Sequence, residues 1–72
     1  MRSFTDDAGR PWEVTLGKES WGTLVALFAP AGGGDARTSV LTADTMFDAS
    51  AELESLSDDA LRERLRASRP WS

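Results

Sequence analysis

Large apolar and polar side chains alternate along the stretch 12–16, WEVTL. A period of two is typical of a strand with one buried face, so we predict Trp12 in the core. The stretch before it, 6–11, is DDAGRP, and its Gly and Pro favour a turn. The pattern therefore predicts a first hairpin, with strands at about 2–5 and 11–17.

A continuous apolar stretch follows at 23–29, TLVALFA, between Gly22 and Pro30. Seven such residues bounded by Gly and Pro are typical of a strand that is covered on both faces. The stretch 37–42, RTSVLT, is rich in β-branched residues. We predict a third, central strand at 23–29 and a fourth strand at 37–42, with the glycine-rich stretch 30–35 as the loop between them.

The apolar spacing changes to three and four residues from position 44 onward. Met46, Ala49, Leu53 and Leu56 would lie on one stripe of a helix. We therefore predict a helix at about 44–56, with these four residues facing the core.

A second helix begins with the clearest local signal in the chain. Ser57 is a good N-cap, and the two Asp residues after it suit the first turn of a helix. Leu56 and Leu61 have the spacing of a hydrophobic staple. Because Pro70 cannot continue a helix, we predict this helix at about 58–68.

These elements predict an α+β fold in a single domain spanning 1–72. The domain would be a four-stranded antiparallel β-meander, which could curl into a small half-barrel, followed by two short C-terminal helices. The chain has only eight Leu, three Val and no Ile, so its core must be small. Two short helices can cover one face of the sheet, so we expect the other apolar face to meet another chain or to close into a barrel.

The residues that usually carry chemistry are scarce. The chain has no Cys and no His, which excludes a disulfide, a thiol nucleophile and the usual zinc sites. Two pairs of neighbouring carboxylates occur, 6–7 and 58–59, but a turn and a helix start account for them. We expect no enzymatic activity, no cofactor and no metal.

Charge is spread evenly along the chain, with 8 basic and 12 acidic residues and a net charge of −4. Since neither half is basic, we expect no direct binding to nucleic acid. The first residues lack the apolar stretch of a secretory signal, and the longest apolar run is too short to cross a bilayer. We therefore expect a cytoplasmic protein without a membrane partner.

Four Arg residues near the end of the chain interleave with acids, which is typical of a solvated helix face. We expect Arg62 to pair with Asp58 or Asp59, and Arg66 to pair with Glu63. We interpret Trp71, which follows Pro70, as a frayed tail or as a cap on the open end of the sheet.

Trp21 lies in the connection between the second and third strands. It could act as an exposed binding anchor, or it could fold back over Trp12. We predict a small non-enzymatic interaction module that binds another protein, or itself as a homodimer, through Trp21, Glu19, Val25 and Leu27. The alternative is a small acidic inhibitor of the phage type, which would occupy a nucleic-acid-binding surface of a host complex.

Overall fold

A computed structural model describes residues 2–71 and shows a five-stranded antiparallel sheet with two helices. Each strand pairs with its neighbours in sequence, so the order is that of a meander. The strands are β1 (Arg2–Thr5), β2 (Pro11–Lys18), β3 (Leu24–Pro30), β4 (Arg37–Val40) and β5 (Arg69–Pro70). The helices α1 (Met46–Ser55) and α2 (Asp58–Arg66) lie between β4 and β5. The predicted α+β class is confirmed, with one strand more than the four predicted.

Two tight connections set the register of the sheet. In the first hairpin Phe4 pairs with Trp12, and the Asp6 N–H donates to the Arg10 carbonyl at 2.9 Å. In the second, the Glu19 N–H donates to the Thr23 carbonyl at 2.9 Å. Because side chains alternate along a strand, this register decides which residues face the helices.

One face of the sheet and both helices form the hydrophobic core. The Phe4 and Phe28 rings meet edge to face, with their centroids 5.9 Å apart. Trp12 is only 6% exposed, which confirms its predicted place in the core. The buried cluster comprises Phe4, Trp12, Val14, Leu24, Ala26, Phe28, Leu41, Ala49, Leu53, Leu61 and Leu65.

The other face of the sheet contributes no residue to this cluster. Val25 pairs with Val40 across β3 and β4, and Thr15 pairs with Leu27 across β2 and β3. These four residues share the face that points away from the helices, since Leu24, Ala26 and Phe28 point toward them. The helices thus cover a single face, and we call the other one the open face.

Side-chain caps fix where both helices begin. The Thr45 hydroxyl accepts a hydrogen bond from the Asp48 N–H at 3.1 Å, so α1 starts two residues later than predicted. The Ser57 hydroxyl accepts from the Ala60 N–H at 3.1 Å, which confirms the predicted N-cap of α2. Leu61 is fully buried, as expected for a residue that belongs both to the hydrophobic staple and to the core.

The sequence does not predict the short strand β5, which follows α2. Helix α2 stops at Arg66, and Arg37 on β4 donates to the Ser68 hydroxyl at 2.7 Å and to the Ser68 carbonyl at 2.6 Å. β5 then pairs with β4, and the Trp71 N–H donates to the Ala36 carbonyl at 2.9 Å. Trp71 therefore lies along the sheet edge, and its side chain is 43% exposed.

Ion pairs form within α2 and between α2 and the first hairpin turn. Arg62 pairs with Asp59 at 2.6 Å, as predicted. The predicted pair between Arg66 and Glu63 is wrong, because the Arg66 guanidinium lies 2.9 Å from the Asp7 carboxylate in the first hairpin turn. A contact between residues this far apart in sequence depends on the tertiary fold.

Candidate functional site

Trp21 lies at the tip of the hairpin between β2 and β3. The turn is closed by a hydrogen bond from the Gly22 N–H to the Glu19 carbonyl at 2.9 Å, and Gly22 has a φ of 97°. A residue without a Cβ adopts this φ at little cost. The Trp21 side chain is 72% exposed, so it does not fold back over Trp12.

Trp21 and Glu19, two of the predicted binding residues, lie together. Both line a shallow cleft of about 490 Å³ at the open-face edge of the sheet. Val40, which is 58% exposed, and Arg69 line the same cleft. This cleft combines two exposed apolar side chains with one acid and one base.

The other two predicted residues occupy different surroundings. Val25 belongs to the open face but is fully buried, and a Cβ at Gly17 would lie 3.2 Å from a Val25 methyl group. Val25 can therefore support the surface from beneath but is not itself accessible. Leu27 is half-buried in a separate depression of about 90 Å³, beside Thr15.

Two more exposed apolar side chains stand at the start of α1. Met46 is 55% exposed and Phe47 is 82% exposed. Met46 was expected on the buried stripe, but it is the first residue of the helix and no earlier turn lies beside it. Phe47 lies off that stripe, and its off-stripe position is the one sequence signal that could have indicated its exposure.

A second cleft joins the Trp21 turn to the segment leading into α1. It measures about 320 Å³, and Trp21, Leu41 and Asp44 are among its lining residues. Asp44 precedes Met46 by two positions, so this cleft reaches the residues that lead directly into α1. The predicted binding surface thus extends toward α1.

Acidic residues are concentrated in the part of the sequence that contains α1. The stretch 38–61 contains six acidic residues and no Lys or Arg. Among the described residues, the acids Glu52, Asp58 and Asp59 of this stretch are in ion pairs. Asp44 and Asp48 are exposed and are in no ion pair with any residue from 2 to 71.

Two carboxyl groups have lowered pKa values, and both have a structural role. Hydrogen bonds from the Trp12 indole and the Arg10 N–H lower the pKa of Asp6. Hydrogen bonds from the Thr42 hydroxyl and N–H lower the pKa of Glu52. Each group fastens a turn or loop to a neighbouring element, and neither lines the clefts beside Trp21.

Residues 2–71 contain no group of three or more acidic side chains placed to hold a metal ion. Neither described helix is long and apolar enough to cross a membrane. Comparisons of the chain with protein-family models, with curated proteins and with solved structures find no match.

Proposed function

We propose that this protein is a small non-enzymatic interaction module that binds another protein or a second copy of itself. The observation that supports this proposal is the exposure of Trp21, at 72% of its surface, on a closed hairpin turn. Exposed aromatic side chains on otherwise polar surfaces often mark binding sites, because burying one on association removes a large apolar area from water.

The surroundings of Trp21 favour a binding anchor. The turn that carries it is held by a main-chain hydrogen bond, so little backbone ordering remains to oppose binding. Val40 extends the apolar area along the edge of the open face. Glu19 and Arg69 beside it supply the polar rim that is typical of interfaces.

Self-association is one form of the same function. Val40 and the half-buried Leu27 face outward on a sheet face that no described helix covers. Two such faces could pack around a twofold axis, with Trp21 near the rim of the interface. A homodimer formed in this way would have a Tm that rises with protein concentration.

Affinity capture from native lysate tests binding to another protein. The native chain, Trp21→Ser and the matched control Trp71→Ser are used as baits, and the retained proteins are identified by mass spectrometry. We expect a partner that the native chain and the control retain and that Trp21→Ser loses. Sedimentation equilibrium over a hundredfold concentration range tests self-association. Identical capture by all three baits, together with a monomer of constant Tm, would contradict the proposal.

The alternative function is that of an acidic inhibitor on a nucleic-acid-binding surface. The exposed carboxylates of Asp44 and Asp48, which no base among residues 2–71 pairs with, favour it, since such a surface is basic. In that case the captured partner would itself bind nucleic acid. Adding excess DNA or RNA would then release it from the native bait, whereas a partner of the general module would stay bound.

A further inference from the structure

The Trp21 turn shares a cleft with Asp44, and Met46, Phe47 and Asp48 follow Asp44 closely in the chain. These residues supply three exposed apolar side chains, Trp21, Met46 and Phe47, and two acids, Asp44 and Asp48, that enter no ion pair within residues 2–71. We call this set the acid-rimmed patch. The inference drawn from it rests on the proposed interaction function and specifies the partner.

The helix geometry turns Phe47 away from the core. Ala49 and Leu53 face the core, and Phe47 lies on the opposite side of α1. Ala51 and Glu54 follow it at spacings of four and seven, so they share its outward face. All three are exposed, and the small side chain of Ala51 lets a partner approach the helix closely.

The charges at the patch are uncompensated on its α1 side. Within residues 2–71, Asp44, Asp48 and Glu54 are exposed and enter no ion pair. Of the bases near the patch, Arg64 is paired with Glu52 of α1 at 3.6 Å, and Lys18 and Arg69 lie beside the hairpin turn. An apolar centre with a negative rim complements an apolar group flanked by Lys or Arg.

We propose that the acid-rimmed patch binds a cationic amphipathic segment of a partner protein. Its apolar side chains would cover Phe47, Met46 and Trp21, and its basic side chains would meet Asp44 and Asp48. Helix-in-groove and helix-on-helix recognition commonly combine such an apolar stripe with flanking charges.

The negative charge of the acid-rimmed patch also argues against other binding partners. Nucleic acid and anionic membrane surfaces carry the same sign as the patch, so both would be repelled. A second copy meeting the patch through a twofold axis would bring the Asp44 and Asp48 pairs of both chains together. Repulsion of like charges disfavours that arrangement, and the open face stays the surface for self-association.

Two synthetic helical peptides with the same leucine face test the proposal, one with lysine and one with glutamate on its polar face. Titration by calorimetry at low salt should show binding of the lysine peptide and none of the glutamate peptide. We expect Phe47→Ser to weaken binding at least about tenfold, and the double variant Asp44→Asn/Asp48→Asn to weaken it several-fold. Higher salt should weaken binding to the native chain more than to the double variant.

Glu63→Gln is the matched control, because it removes an exposed acid from α2 without touching the patch. It should bind the lysine peptide as the native chain does. Equal affinities for the native chain and Phe47→Ser, or equal binding of both peptides, would overturn the proposal. Capture of a partner that depends on Trp21 but not on Phe47 or Asp44 would also overturn it, while leaving the interaction function intact.

Discussion

The Asp6 carboxylate accepts a hydrogen bond from the buried Trp12 indole, with 2.9 Å between Oδ2 and Nε1. Its other oxygen accepts from the Ala8 N–H at 2.9 Å and from the Arg10 N–H at 2.8 Å. One side chain thus closes the first hairpin turn and satisfies the only polar atom of the Trp12 side chain. The Arg10 guanidinium lies over the same indole, with its Cζ 5.4 Å from the ring centroid.

Asp6→Asn should lower the Tm although the two side chains have the same shape. An amide that keeps its oxygen on the two backbone N–H groups must turn its NH₂ toward the Trp12 N–H, and two donors cannot bond. The matched control is Asp35→Asn, an exposed acid with no ion pair among residues 2–71. Thermal unfolding followed by circular dichroism measures the difference, and equal Tm values would contradict this role of Asp6.

Stability should also fall in acid, because the pKa values of Asp6 and Glu52 are lowered in the native state. In the unfolded chain these groups protonate near their ordinary values, about 3.9 for Asp and 4.3 for Glu. As the pH falls through this range the unfolded state takes up more protons, so the free energy of unfolding decreases. The contribution of these two carboxylates to the free energy of unfolding is complete above about pH 5. It is lost as the pH falls through their lower native pKa values.

Urea unfolding between pH 3 and pH 7 measures this dependence. The double variant Asp6→Asn/Glu52→Gln should be less stable at neutral pH and should lose less stability on acidification. A pH dependence as steep as that of the native chain would assign the acid sensitivity to other carboxyls.

The local patterns of the chain predict most of its elements but not the contacts between distant ones. Alternation at 12–16 and the Ser57 cap are properties of neighbouring residues, so the first hairpin and α2 could be read from them. β5 could not, because it has two residues, one of them Pro70, and it pairs with a strand that is distant in the sequence.

At the candidate site, too, the local sequence predicts the turn but not the contacts between distant elements. The flanking Gly22 predicts a turn at Trp21, but the exposure of the Trp21 side chain depends on the direction in which the closed hairpin points. The register that places Val25 over Gly17 also removes it from the accessible surface. The proximity of Trp21 to Asp44 arises because β3 pairs with β4, and the Leu41 N–H donates to the Leu24 carbonyl at 3.0 Å just beyond that pairing.

The start of α2 provides a graded stability prediction. Ser57→Ala removes the hydroxyl that accepts from the Ala60 N–H, and it should cost about 1 kcal/mol. Leu61→Ala opens a cavity at a fully buried position and should cost about 2–4 kcal/mol. Chemical denaturation measures both free energies. Small and equal effects would mean that α2 is not part of the cooperative fold.

The glycine-rich loop contains a matched pair of positions. Gly34 has a φ of 127°, and a Cβ there would lie 3.4 Å from the Arg10 guanidinium. A residue other than Gly is strained at this φ, so Gly34→Ala should cost about 1–3 kcal/mol. Gly32 has open space around its Cα and no positive φ, so Gly32→Ala should change stability by less than about 0.5 kcal/mol. Equal stabilities of the two variants would show that Gly34 has no required conformation.

Arg37 should hold the last strand in place. Its Nε and Nη2 atoms donate to the hydroxyl and the carbonyl of Ser68, at 2.7 and 2.6 Å. Arg37→Met keeps a long side chain but removes both donors and leaves the buried Ser68 with fewer partners, which should cost about 1–3 kcal/mol. The Trp71 N–H, which bonds to the Ala36 carbonyl, should then exchange with solvent faster than in the native chain. Arg69→Met is the control, because Arg69 is exposed and donates no side-chain hydrogen bond within residues 2–71. If the Trp71 N–H exchanges equally fast in both variants, the register of β4 with β5 holds the strand without Arg37.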